Sequence, residues 1–189
     1  MQTLKLIKQK LSIKRVMLLI TTILSFSVPA SAYSKQLKCP TFEPEQIEVM
    51  QKSYQLGQEH DLGYTLAAIA LKESSAGKYR INAISSDFGV YQGNVETICK
   101  QAAVWHNSFM CNIEIQRVVD DIEKAAEHAI ETLSYWQNYH KKRTDNYLVY
   151  QMTIRAYNAG FNFNGSQAET YWEEFRRDFH TVKNCVNFI

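Results

Sequence analysis

The five histidines of this 189-residue chain, His60, His106, His128, His140 and His180, are scattered, and no His-Glu-x-x-His occurs. A zinc peptidase or zinc amidase of that type needs two imidazoles one helical turn apart, so this class is excluded. No Gly-x-Ser-x-Gly elbow is present, which removes the serine hydrolases built on it. No Gly-x-x-x-x-Gly-Lys loop is present, which removes the phosphate-loop nucleotide hydrolases. No Cys-x-x-Cys pair supports a metal centre, and neither metal nor cofactor is expected. There is no internal repeat, low-complexity tract or interior linker. What remains is one mainly helical domain and carboxylate chemistry.

Acidic residues are missing from the first 32 positions, which hold Lys5, Lys8, Lys10, Lys14 and Arg15. The apolar stretch that follows, Val16 to Val28, has 13 residues, short of the ~20 that a membrane-spanning helix needs. It ends in Pro29-Ala30-Ser31-Ala32, a small-x-small cleavage site, so residues 1–32 read as a secretory signal peptide. The remaining 157 residues, 33–189, suit one domain with one core. They carry 16 basic and 19 acidic residues, a formal charge of −3, so nothing points to nucleic acid. No stable membrane span is expected after cleavage, and the protein is expected to be exported to the periplasm or cell envelope.

All four cysteines, Cys39, Cys99, Cys111 and Cys185, lie in that exported part. An even count in an oxidising compartment favours disulfides, and four cysteines allow three connectivities. Cys39 and Cys185 stand near the two ends while Cys99 and Cys111 stand close together, so the expected pairing is Cys39–Cys185 with Cys99–Cys111. A cysteine peptidase would need a free thiol, and this pairing leaves none.

Along the chain, Thr41 between Pro40 and Pro44 is a plausible cap for a helix over 44–59, with Ile47, Met50 and Tyr54 at helical spacing. A second helix follows His60-Asp61-Leu62-Gly63. Residues 74–93 lose the helical period and hold three of the seven glycines, Gly77, Gly89 and Gly93, so they read as loops with a short β-ribbon. Asn94 caps a helix from Val95 to about Val104. The longest helix is expected to start at Asn112, with an apolar stripe through Ile115, Val118, Ile122, Ala126, Ala129, Leu133 and Trp136. Its polar face would carry Glu114, Arg117, Asp121, Lys124 and Glu131. Another helix runs from Leu148 to Asn158 and stops at Gly160. Ser166-Gln167-Ala168-Glu169 reads as a capping box for the last helix, whose apolar positions are Trp172, Phe175, Phe179 and Val182.

The second helix is the centre of the reading. Leu66-Ala67-Ala68-Ile69-Ala70-Leu71 is a run without polar side chains, and Lys72-Glu73-Ser74 ends it. A carboxylate at the end of a buried helix is desolvated, which raises its pKa. A carboxyl group that keeps its proton near neutral pH can act as a general acid.

Beyond Glu73-Ser74 lie Ser86-Asp87-Phe88-Gly89-Val90-Tyr91-Gln92 and, much later, Arg155-Ala156-Tyr157-Asn158-Ala159-Gly160. A Glu-Ser pair ending a helix, then a Gly-x-x-Gln, then a distant Tyr-Asn-Ala-Gly resembles the lytic transglycosylases of the lysozyme-like superfamily. The resemblance extends from about Gln46 to Gly160. The segment around Asp87 also resembles the aspartate-bearing strand of animal-type lysozymes. Two details differ: Ala76-Gly77-Lys78-Tyr79 stands where many of these enzymes have Phe-Asn-Pro, and Val90-Tyr91 replaces the usual Leu-Met.

The resemblance implies a mainly α, lysozyme-like α+β fold with a small β-ribbon after the catalytic helix. It implies cleavage of the β-1,4 bond between N-acetylmuramic acid and N-acetylglucosamine in peptidoglycan glycan strands. Glu73 would protonate the leaving oxygen, then take the proton of the sugar's C6 hydroxyl as it closes into a 1,6-anhydro end. Tyr157 would hold Glu73 in position. Asn158 would line the site or cap its helix, and Gln92 would contact the glycan or complete a turn. Ser74 would brace the end of the Glu73 helix. Asp87 is either the second carboxylate of a retaining muramidase or a structural residue of the ribbon. Tyr157-Asn158-Ala159-Gly160 belongs to the transglycosylases and favours the lyase. A non-catalytic peptidoglycan-binding assembly factor is the third reading, and an intact Glu73 argues against it. The same family resemblance implies a setting in a secretion, conjugation or phage machine that crosses the envelope.

Overall fold

Proline opens the first helix, α1 (Pro44–Gln58), at a position whose N–H would have had no partner. The preceding N–H, that of Glu43, donates to Gln46 Oε1 at 3.0 Å. The helix is therefore capped at Glu43 and not at Thr41. In the computed structural model, which describes residues 38–188, six further helices and one small sheet follow; the signal peptide expected over 1–32 lies outside the described residues.

Helix α2 (Gly63–Ser74) forms the centre of the core. Leu66, Ala67, Ala68, Ile69 and Ala70 are fully buried. Burial of Leu66 and Ile69 contributes about 1.5–3 kcal/mol each, and the three alanines let α1 and the last helix pack closely on α2. The strands β1 (Ile81–Asn82), β2 (Asp87–Phe88) and β3 (Gly93–Asn94) form one antiparallel sheet in the order β1-β2-β3. Asp87 faces Asn82 on one side and Asn94 on the other. Gly89 closes the turn after β2 with φ +81°, and a Cβ there would lie 2.7 Å from the carbonyl oxygen of Val118. The ribbon is thereby pressed against the helix that carries Val118.

Asn94 caps α3 (Val95–Gln101) as expected, its Oδ1 accepting from the N–H of Glu96 at 3.1 Å, but the helix stops short of Val104. The long helix expected from Asn112 is two helices. Ser108, not Asn112, caps α4 (Phe109–Asp120), and Asp121 breaks the chain before α5 (Ile122–Lys141). Asp121 adopts an extended backbone and its carboxylate accepts from the N–H groups of Glu123 and Lys124. An aspartate that satisfies the first amides of a new helix competes well with continuation of the old one. The apolar stripe is kept across the break, which is why periodicity alone did not reveal it.

Helix α6 (Asn146–Ala159) ends as expected at Gly160, and a single 3-10 turn, Gly160–Asn162, follows. The last helix, α7 (Ser166–Cys185), has Gly165 at its cap and Ser166 inside its first turn, so the Ser166–Glu169 capping box does not form. Glu169 is instead paired with Arg155 of α6. A buried guanidinium takes the carboxylate because its alternative is an uncompensated charge.

Both disulfides pair as expected, Cys39 with Cys185 and Cys99 with Cys111, and no described cysteine is free. The first joins the start of the described chain to the end of α7, and the second joins α3 to α4. Two such bonds are compatible with an exported protein. Among the described residues no helix is long and apolar enough to cross a membrane.

Candidate active site

The turn after α2 sets the position of Glu73. Ser75 and Ala76 both have left-handed backbones, with φ +52° and +54°, a conformation that costs a residue with a Cβ roughly 1–2 kcal/mol. The N–H of Ala76 reaches back to the carbonyl of Ala70 at 2.8 Å. Ser74 is buried, and its hydroxyl lies 2.7 Å from the carbonyl oxygen of Val90 and accepts from the N–H of Gly77 at 2.8 Å. Gln46 of α1 donates to the carbonyl of Ser75 at 2.9 Å. Ser74 therefore braces the helix end against the ribbon and is not among the residues lining the cleft.

Glu73, Asp87, Gln92, Tyr157 and Asn158 line one cleft of about 120 Å³. Three separate stretches of sequence converge there. Gln92 has a left-handed backbone, and its side-chain amide donates to the carbonyl of Gly89 at 2.8 Å and to that of Tyr79 at 3.3 Å. Its nitrogen thus completes the turn. Asp87 accepts from Asn94 Nδ2 at 3.1 Å across the sheet. Asn158 is exposed at the cleft edge.

Burial pushes the Glu73 carboxyl up to about 7, a hydrogen bond from Tyr171 and the charge of Lys72 oppose the rise, and the charge of Asp87 adds to it. The Tyr171 hydroxyl donates directly to Glu73 Oε1. Tyr171 is itself buried, and burial together with the nearby Glu73 charge holds its phenol well above the ordinary range. It therefore acts as a donor and not as a base. Lys72 Nζ lies 4.8 Å from the centre of the Tyr171 ring and 2.6 Å from Glu174.

Tyr157 lines the cleft with Glu73 but does not hydrogen-bond to its carboxyl. Its hydroxyl donates to the backbone carbonyl of Tyr91 at 2.8 Å, which fastens α6 to the ribbon. The phenol on the carboxyl is Tyr171, which the sequence reading passed over. A faint signal was present, since Tyr171 and Phe175 are four residues apart on the buried face of α7. A tyrosine on an apolar stripe must bring its hydroxyl to a partner. Which partner depends on how α7 packs.

Replacing Tyr171 by Phe removes a donor that favours the ionised carboxyl. The expected result is a Glu73 titration shifted above about 7, followed by carbon NMR of the labelled carboxyl. An unchanged titration would mean that this hydrogen bond does not form in solution.

Gln101, His128 and Thr132 line the same cleft, and His128 is buried there. His128 Nδ1 lies 2.7 Å from Gln101 Oε1, and Nε2 lies 3.3 Å from Glu114 Oε1. Gln101 Nε2 donates to Thr132 Oγ1 at 3.1 Å. The network joins α3, α4 and α5. Glu114 was expected on a solvated face; it is buried because Arg117, Lys124 and His128 surround its carboxylate. Among the described residues, no three His, Cys, Asp or Glu side chains come together as a metal cradle.

Comparison with known proteins adds little to this geometry. No family model matches, and no solved structure matches. The chain is similar to an uncharacterized 20.7 kDa protein of Enterobacteria phage T4, encoded in the vs-regB intergenic region. The two are 28% identical over 142 residues, which cover 65% of this chain and 72% of the phage protein.

Proposed function

We propose that this protein is a peptidoglycan lytic transglycosylase that cleaves the β-1,4 bond between N-acetylmuramic acid and N-acetylglucosamine. The observation that carries the proposal is the Glu73 carboxyl placed in a cleft with the Tyr171 hydroxyl on it, where burial pushes its pKa up to about 7. At neutral pH about half of such a group is protonated, and the proton sits where it can pass to a glycosidic oxygen. As the bond breaks, Glu73 becomes a carboxylate that the Tyr171 hydroxyl stabilises. That carboxylate then accepts the proton of the muramic acid C6 hydroxyl, and the C6 oxygen closes on C1. The leaving sugar departs with the first proton, a 1,6-anhydro end remains, and no water is consumed. One carboxylate suffices because the sugar supplies its own nucleophile.

A second reading, a hydrolytic muramidase, draws support from Asp87, which lines the same cleft and whose charge raises the Glu73 pKa. In a retaining hydrolase Asp87 would attack C1, and water would release the sugar. Its bond from Asn94 and its place at the centre of the sheet suit a structural role equally well.

Digestion of purified peptidoglycan, with mass spectrometry of the new ends, separates the two. Products lighter by one water and lacking a reducible end are expected. Reducible ends would replace the transglycosylase by the muramidase and make Asp87 catalytic, and no cleavage at all would sink both. The disulfides suit the periplasm or cell envelope, where this substrate lies. Of the secretion, conjugation and phage settings, the likeness to a phage protein supports the phage one.

A further inference from the structure

Between α3 and α4 the chain turns apolar side chains to solvent. Trp105 is 88% exposed, Phe109 77% and Met110 53%. All three fall within positions 105–110. A single exposed apolar residue is ordinary, but a cluster built on a tryptophan marks a surface that meets something.

The loop that carries them is held in place. The Cys99–Cys111 disulfide closes it at its base. The N–H of Val104 donates to the carbonyl of Cys99 at 2.9 Å, that of Ser108 donates to the carbonyl of Trp105 at 3.1 Å, and Ser108 Oγ caps α4. Ala103 and Asn107, on either side of Trp105-His106, have left-handed backbones with φ +55° and +64°. That conformation is unfavourable for a residue with a Cβ, and between the two Trp105 stands almost wholly in solvent.

Charge sets this surface apart from the rest of the protein. Residues 33–189 carry 16 basic and 19 acidic side chains, yet no acid stands between Glu96 and Glu114. Lys100, Trp105 and His106 line one open hollow of about 470 Å³. Glu96 lines it too, but one turn of α3 further from the loop than Lys100.

Area decides what kind of partner fits. Aromatic side chains bury about 150–250 Å² each, so Trp105, Phe109 and part of Met110 offer roughly 400–500 Å². A standard protein interface takes about 800 Å² from each partner. A lipid surface asks for less, because a few inserted rings and the attraction of basic groups to anionic headgroups add together. Tryptophan also settles at the membrane–water boundary, where its ring is in an apolar medium and its N–H is wet.

We propose that the loop between α3 and α4 docks the protein on an anionic lipid bilayer. Trp105, Phe109 and Met110 enter the interface, and Lys100 and His106 lie among the headgroups. The contact is peripheral and needs no spanning helix. Thr97 and Gln101 of α3 line the Glu73 cleft, so docking holds that cleft about one seven-residue helix from the bilayer, some ~10 Å. The proposal does not depend on what the cleft cuts.

The test is co-sedimentation of the disulfide-bonded protein with vesicles of phosphatidylethanolamine and phosphatidylglycerol, against vesicles of phosphatidylcholine. Tryptophan emission is followed in parallel. The anionic vesicles should carry the protein down and shift its emission to the blue. Trp105→Ser with Phe109→Ser should weaken binding by about tenfold or more, since each fully buried ring is worth about a factor of ten. Trp105→Phe keeps an apolar ring and should keep sedimentation while losing the blue shift, because Trp136 is buried and Trp172 is half-buried in the fold. Trp105 and Phe109 are exposed, so unchanged melting temperatures show that the fold is kept. No binding to anionic vesicles, equal binding to phosphatidylcholine, or undiminished binding by the double serine variant would overturn the proposal. A lipid-free dimer that the double variant converts to a monomer would overturn it in favour of self-association. Cleavage of peptidoglycan is read separately, so failure of this proposal and failure of the cleavage reading are told apart.

Discussion

Glu73→Gln is expected to lower cleavage of peptidoglycan by roughly 10²–10⁴-fold, the usual contribution of a general acid. Glutamine keeps the shape and still offers Tyr171 a carbonyl oxygen, so lost activity reports the proton and not a collapsed site. The same substitution has a second, independent readout. The carboxyl titrates at about 7 in the folded protein against the ordinary 4.5. Between those values the folded state binds more protons than the unfolded state, so stability falls as pH rises from about 4.5 through 7. Glutamine has no such titration. Relative to wild type, the variant should gain up to about 3 kcal/mol at pH 8 that is absent at pH 4. Urea denaturation at the two pH values measures the difference. Equal gaps between variant and wild type at both would show that Glu73 is not desolvated.

Loss of the Cys39–Cys185 disulfide is the other large expected effect. It closes a loop with a sequence separation of 146, for which chain entropy in the unfolded state gives about 5 kcal/mol. Cys99–Cys111 closes one of only 12, worth about 3 kcal/mol on the same basis. Native domains are stable by about 5–15 kcal/mol, so Cys39→Ser with Cys185→Ser should bring the protein close to unfolding at growth temperature. The bond anchors the end of α7, and α7 carries Tyr171. A melting temperature within a few degrees of wild type would count against this disulfide as a main support of the fold.

Several features were legible along the chain because they depend only on neighbours. The run from Leu66 to Leu71 reads as a buried helix, and the loss of helical period with three glycines over 74–93 marked the ribbon. Asn94 was legible as a cap because a cap bonds an amide two residues away. The disulfide pairing followed from cysteine positions. Other local signals competed and misled. The Ser166–Glu169 spacing looks like a capping box, but Arg155 drew Glu169 away. The stripe from Ile115 to Trp136 looks like one helix, but Asp121 starts a second. Periodicity records which face is buried and not whether the backbone is continuous.

By itself the sequence determined the mainly helical fold class, the helix that carries Glu73 near its end, and five of the side chains that line the cleft, Glu73, Asp87, Gln92, Tyr157 and Asn158. Tertiary structure decided what each of these side chains does and brought Tyr171 to the carboxyl. Tyr157 was expected on Glu73, yet its hydroxyl serves the carbonyl of Tyr91, and Tyr171, 98 residues along the chain from Glu73, holds the carboxyl. Glu114 was expected in water, yet it is buried beneath His128. The physical reason is one of range. Helix formation and capping act over four residues or fewer, whereas the partner of a buried polar group is set by the rotation of one packed helix against another.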